Sequence, residues 1–261
     1  MGTSAGCGLS TNLWLYTNFD CNLRCTYCVT KSAPGVPRRA LGLDTVRRLV
    51  DEGTELGFKD FFFTGGEPFL LDEIYTMLGY ASARARTTVL TNGVLLQGER
   101  IERLAGIATG NLRVQVSLDG ARPEHHDPYR GEGTWAKTVA AIERLLARDI
   151  QVCISTTETP ANTDYIAEFH AFRRDLGISE SDHLIRPLAR HGFSSEGLVL
   201  SRAELEPELT LTAEGAFWHP LTYPGDVEMR ITDELFPLVD AVAAVEDELA
   251  ADRHTARTEF R

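Results

Sequence analysis

The stretch Asp20-Cys21-Asn22-Leu23-Arg24-Cys25-Thr26-Tyr27-Cys28 decides how the rest of the chain is read. Its cysteines are spaced C-x3-C-x2-C, and thiolates select soft centres such as zinc or iron–sulfur clusters. A structural zinc site or a closed cluster takes four protein ligands. Three cysteines therefore leave one metal position open to something that is not protein. Two plainer readings stand beside this one: a zinc knuckle completed by a distant His, and thiols clustered by chance.

Outward from this loop, short β-rich runs alternate with amphipathic stretches from about residue 12 to 190, the pattern of successive βα units on a parallel sheet. The spacing predicts strands at Leu13–Tyr16, Asp60–Phe63, Thr87–Leu90, Leu112–Leu118, Gln151–Thr156 and His183–Leu188. Helices are expected at Asp44–Leu56, Leu71–Ser82, Glu99–Ile107, Thr134–Arg148 and Asn162–Leu176. In the fourth helix, Val139, Ile142, Leu145 and Leu146 recur at spacings of three and four, which puts them on one face. The segment Thr17 to Gly42 is a long loop, and long loops inside compact domains are usually functional. Beyond residue 190 the alternation stops. Residues 191–232 are rich in Gly, Pro, Ser and Thr, Asp233–Ala251 reads as a final amphipathic helix, and Asp252–Arg261 as a frayed tail. The class is α/β, with residues 1–190 as the core and 191–261 as a C-terminal extension.

Composition narrows the function. The 261 residues suffice for a substantial core. With 26 basic and 38 acidic side chains the formal net charge is −12, which disfavours nucleic acid as a partner, because neutralising phosphates takes surplus Lys and Arg. No run approaches the roughly 18 apolar residues of a membrane span. The N-terminus lacks a basic segment followed by an apolar one, so the cytoplasm is the expected location. Cys7 and Cys153 are isolated and no disulfide framework is visible, which suits a reducing compartment.

Further motifs fall at strand ends, where open α/β sheets and barrels bind ligands. Thr64-Gly65-Gly66-Glu67-Pro68 follows the second strand. Paired glycines let the backbone approach a ligand and a carboxylate can hold an ammonium group, although such a run is often a plain strand-to-helix turn. Thr91-Asn92-Gly93 closes the third strand, and Asn-Gly is a turn signal by itself. The fourth ends in Ser117-Leu118-Asp119-Gly120, where period-two alternation puts Ser117 and Asp119 on one face, suited to a ribose or a carboxylate. His125 and His126 read as turn residues on a loop, and Cys153 as a buried thiol. His183, Arg186 and Arg190 on or after the last strand border the expected cavity mouth, where substrate contacts would lie. Phe217-Trp218-His219-Pro220 offers an aromatic platform or part of a small core.

The cysteine spacing with Tyr27 before the last Cys, the Gly-Gly-Glu turn, and Ser-Leu-Asp-Gly followed by His126-Asp127 and Arg130-Gly131 together resemble the radical S-adenosylmethionine (SAM) superfamily. The likeness is to the core domain of its molybdopterin-biosynthesis and peptide-maturase members and covers roughly residues 12 to 190. It implies a partial (β/α)6 barrel whose C-terminal extension caps or packs on it. It also implies one [4Fe–4S] cluster on Cys21, Cys25 and Cys28, with SAM on the open iron. By the same resemblance Tyr27, Gly65, Gly66, Glu67, Asn92, Ser117, Asp119, Arg130 and Thr156 would contact SAM: Glu67 at its amino group, Arg130 at its carboxylate, Thr156 at the ribose or adenine. The implied chemistry is reductive cleavage of SAM to a 5′-deoxyadenosyl radical that takes hydrogen from a small-molecule or peptide substrate, with flavodoxin or ferredoxin as reductant. No cysteine follows Cys153, so the auxiliary clusters of many peptide-maturing relatives are not expected. An iron–sulfur electron-transfer or sensor protein that cleaves no SAM is the alternative, and a zinc-stabilised interaction domain a third reading.

Overall fold

The computed structural model describes residues 9–251 and 257–260. In its first strand, β1 (Asn12–Asn18), Leu13 and Leu15 are fully buried under helices, while Asn12, Trp14 and Tyr16 turn to the opposite face and line a cavity. The same alternation runs through β2 (Asp60–Gly65), β3 (Arg86–Thr91), β4 (Leu112–Ser117), β5 (Gln151–Glu158) and β6 (His183–Pro187). Phe61, Phe63, Val89, Val114, Val116 and Ile154 go to the helix side, whereas Phe62, Thr64, Leu90, Gln115, Ser117 and Arg186 go to the cavity. Burying each large apolar side chain contributes about 1.5–3 kcal/mol.

Helices α1 (Leu43–Glu55), α2 (Ile74–Ser82), α3 (Glu99–Ala105), α4 (Pro123–Arg130), α5 (Thr134–Leu146) and α6 (Ile166–Asp175) fall between these strands. In α1 the buried residues are Val46, Leu49, Val50 and Gly53, the i, i+3, i+4, i+7 stripe of an amphipathic helix. A Cβ on Gly53 would stand 2.9 Å from Leu13 Cδ2, so glycine lets α1 lie close on β1. The face expected in the fourth predicted helix forms in α5: Val139, Ile142 and Leu145 are buried and Leu146 packs at the edge.

The strands hydrogen-bond in the order β6-β5-β4-β3-β2-β1-β7-β8-β9, with every pair from β6 to β1 parallel. The sheet ends at β6 on one side and β9 on the other and does not close, so the barrel is partial.

Three readings of the sequence are corrected. His125 and His126 lie in α4 and not in a loop; Pro123 starts this helix and Gly131 ends it. Asp127, near its end, then caps α5, accepting from Trp135 N and Gly133 N at 2.8 Å each. The stretch 191–232 holds three short strands, β7 (Thr210–Thr212), β8 (Gly215–Phe217) and β9 (Arg230–Thr232), and β7 pairs in parallel with β1. The extension thus lengthens the same sheet. The last helix, α7 (Leu238–Ala251), begins after Pro237, later than expected. Of the tail, 252–256 and 261 lie outside the described residues, as does Cys7, while Thr258 bridges to Leu205.

Candidate cofactor site at the strand ends

A cavity of about 220 Å³ opens at the carboxyl ends of the parallel strands. It brings together Cys21, Cys25, Tyr27, Cys28, Gly65, Gly66, Asn92, Ser117 and Arg130. Glu67, Asp119 and Thr156 do not reach its wall.

The cysteine loop is clamped by the turn after β2. Gly66 N donates to Asn18 O at 2.8 Å and Glu67 N to Asp20 O at 3.0 Å. A Cβ on Gly65 would stand 2.1 Å from Asn18 O, and one on Gly66 2.0 Å from Asp20 O. Gly65 also has φ 135°, so both glycines are required by close backbone approach. From another side the extension presses on the loop: Phe193 N donates to Cys28 O at 3.0 Å, and a Cβ on Gly192 would lie 2.2 Å from that oxygen. Arg24 stacks over the Phe193 ring at 4.5 Å. Burial pushes the Cys21 thiol up to about 12 and the Cys25 thiol up to about 11. Both must shed protons to bind a metal.

Glu67 is fully buried and its carboxylate is turned away from the cavity. It accepts from Asn92 N at 2.9 Å, Thr91 Oγ1 at 2.8 Å and Phe69 N at 3.2 Å, so it holds the turn after β3. Burial outweighs these bonds and raises its pKa to about 7. Its backbone neighbours Gly65 and Gly66 are what the motif presents to the cavity. Asn92 Nδ2 in turn donates to Asn22 Oδ1 at 2.9 Å, beside Cys21, tying the third strand end to the cysteine loop.

Asp119 and Arg130 pair with each other. Arg130 Nε donates to Asp119 Oδ2 at 2.7 Å. Asp119 also accepts from Tyr27 OH and from Thr157 N, the latter at 3.0 Å. Burial alone would raise Asp119, but the Arg130 guanidinium and these hydrogen bonds hold it below the usual carboxylate range. His126 Nδ1 accepts from Asp119 N at 3.2 Å and burial lowers that ring to about 4, so it is a neutral brace for the turn. Thr156 faces the helices, donating to Leu118 O at 2.7 Å. Its neighbour Thr157 is the one on the cavity wall.

Several residues of the cavity wall have no assigned role in the sequence analysis. Thr157 was one residue out of phase with the residue chosen. Gln115, two residues before Ser117, was available from strand alternation. His219 comes from the extension, whose path no local signal gives; its Nδ1 accepts from Leu221 N at 3.0 Å.

The Radical SAM superfamily matches residues 15–172, which is more than half of the chain. The chain belongs to the radical SAM superfamily. It is 35% identical over 159 residues to an AdoMet-dependent heme synthase from Methanosarcina barkeri, covering 60% of this chain and 45% of that protein. It is 32% identical over 174 residues to the mycofactocin maturase MftC from Mycolicibacterium smegmatis, covering 66% of this chain and 44% of that one. It therefore spans about half the length of the curated relatives it matches. Among solved structures, Streptococcus suis SuiB bound to S-adenosylmethionine superposes with a TM-score of 0.62 at 16% identity, over 97% of this chain and 51% of that chain, a likeness of fold.

Radical SAM proteins use a [4Fe–4S] cluster and SAM, and the donor set of this cavity fits both. All three motif thiols line it, and no Asp or Glu does. No group of three His, Cys, Asp or Glu among the described residues converges to hold a single metal ion. A cluster makes no such demand, because each thiolate ligates a different iron. No helix among the described residues is long and apolar enough to cross a membrane.

Proposed function

We propose that this chain is a radical SAM enzyme in which Cys21, Cys25 and Cys28 hold one [4Fe–4S] cluster and the adjoining strand ends hold SAM. The observation that carries this reading is the convergence of three thiols, the Gly65-Gly66 backbone, Asn92 and Ser117 on one cavity. When bound, cluster and SAM supply one-electron reductive cleavage of a carbon–sulfur bond and, through it, hydrogen-atom abstraction from carbon.

The chain's own residues bind and exclude water. Gly65 and Gly66 offer backbone oxygens for the amino group of SAM, while the carboxylate of Glu67 acts behind them by fixing Asn92. Ser117 contacts the cofactor from β4. Tyr27 closes the cavity floor, its hydroxyl fixed on Asp119. Arg130 reaches the wall with its charge balanced by Asp119, which makes it a directional donor toward the SAM carboxylate. Asp119 is a positioning residue for both and for Thr157. Thr156 contributes by holding β5 to Leu118.

Residues 1–190 serve as the catalytic core and 191–261 as an extension that adds to the sheet and covers the cysteine loop. A peptide substrate is favoured by the maturase relative MftC, and the solved SuiB complex with precursor peptide SuiA shares the fold. A flavodoxin or ferredoxin in the cytoplasm suits the electron requirement. The test is electron paramagnetic resonance of the reduced, iron-loaded protein. Addition of SAM shifts the cluster signal if SAM binds the open iron; an unchanged spectrum at saturating SAM contradicts the reading and favours an electron-transfer role.

A further inference from the structure

Apart from the motif thiols, the charged side chains on the cavity wall are arginines, in a strongly acidic chain. Two arginines, Arg130 and Arg186, and no Asp, Glu or Lys stand on its wall among the described residues, although the whole sequence has 38 acidic against 26 basic side chains. Arg130 is neutralised by Asp119. Arg186 forms no ion pair among the described residues; its hydrogen bond goes to Ser155 Oγ at 2.6 Å. Tyr27, Arg130, Asp119 and Tyr16 are the neighbouring charges that act most strongly on it, and both oxygens of Asp119 are already engaged by Arg130, Tyr27 and Thr157.

Arg186 enters the cavity from a different strand than the Gly65-Gly66 turn. It sits on β6, the end strand, four strands from β2 in the sheet order. Its register partner is Thr157, and alternation puts Ser155, Thr157 and Arg186 on the same face. A half-buried guanidinium without an ion-pair partner has given up part of its hydration, and its planar fork matches a carboxylate with two parallel hydrogen bonds.

We propose that Arg186, oriented by Ser155 and flanked by Thr157, forms a carboxylate-binding subsite, and that the substrate of this radical SAM chain enters with a carboxylate seated there. The inference rests on the radical SAM reading and deepens it by naming the substrate's chemical class. The carboxylate of SAM is the other source of the same chemistry, and the experiment separates the two.

The probe pair is glutarate and its neutral isostere glutaramide, titrated calorimetrically into anaerobically reconstituted full chain saturated with SAM, for wild type, Arg186→Gln and Arg186→Lys. SAM is titrated separately into all three. Glutarate is expected to bind wild type about tenfold or more tighter than glutaramide and to lose about tenfold or more in Arg186→Gln, with part retained in Arg186→Lys. SAM affinity is expected to stay within about twofold. Equal binding of the two probes, or glutarate binding indifferent to Arg186→Gln, overturns the proposal. So does a loss confined to SAM, which assigns the arginine to the cofactor. If Arg186→Gln melts at a lower temperature, the comparison is read from Arg186→Lys. Failure of the radical SAM reading looks different: wild type then takes up no SAM, whatever glutarate does.

Discussion

Arg130 Nε and Asp119 Oδ2 meet at 2.7 Å with both side chains buried. The pair joins α4 to the end of β4, and through Asp119 it also fixes Tyr27 of the cysteine loop and the backbone of Thr157 on β5. Three parts of the cavity wall thus hang on one carboxylate.

Asp119→Ala leaves a buried guanidinium without its partner and is expected to cost about 3–5 kcal/mol in urea unfolding at pH 7. Because Asp119 is held below the ordinary carboxylate value, its contribution is present above about pH 4 and is lost as pH falls through the folded-state value. The difference between wild type and variant should therefore shrink in acid. A difference constant down to pH 2 would mean the pair carries no proton-linked stability.

Glu67→Gln places an amide NH2 against at least one of the three donors Phe69 N, Thr91 Oγ1 and Asn92 N. An unsatisfied buried contact of this kind costs about 1–3 kcal/mol. The folded-state pKa of Glu67 is raised to about 7, so its proton-linked stability is full below about pH 4.3 and lost as pH rises through about 7. The deficit of the Gln variant should be larger at pH 5 than at pH 8, measured by thermal unfolding at both.

The six parallel strands were readable as short β-rich runs set between amphipathic stretches, and in β4 polar residues also alternate with apolar ones along the strand. What the sequence concealed has physical causes. Helix α4 is short, polar and contains Pro128, so it shows no apolar period. With α4 unread, the pairing of Asp119 with Arg130 is not visible, nor that Asp119 lies behind the cavity wall while Arg130 reaches it. Strands β7, β8 and β9 have three residues each, too few for alternation to register. Their place is set by docking, β7 on β1, β8 on β7 and β9 on β8, a tertiary fact. The orientation of the Glu67 carboxylate likewise depends on the turn at Asn92, brought in by a different strand.

Gly66→Ala tests whether the cysteine loop needs the close approach of the Gly65-Gly66 turn. With Asp20 O only 2.0 Å from the added methyl, the loop must move, though all three cysteines remain. Anaerobic reconstitution followed by iron and sulfide analysis should give about four of each per wild-type chain and clearly less in the variant. Full loading of the variant would show that the clamp is dispensable.

The most direct measurement is 5′-deoxyadenosine formed by the anaerobically reconstituted, dithionite-reduced chain given SAM, run beside Cys25→Ala. Wild type is expected to release 5′-deoxyadenosine and methionine in equal amounts, and Cys25→Ala to release neither and to lose the four-iron spectrum. Wild-type protein with a full cluster that leaves SAM intact, with and without carboxylate-bearing peptides, would contradict the account.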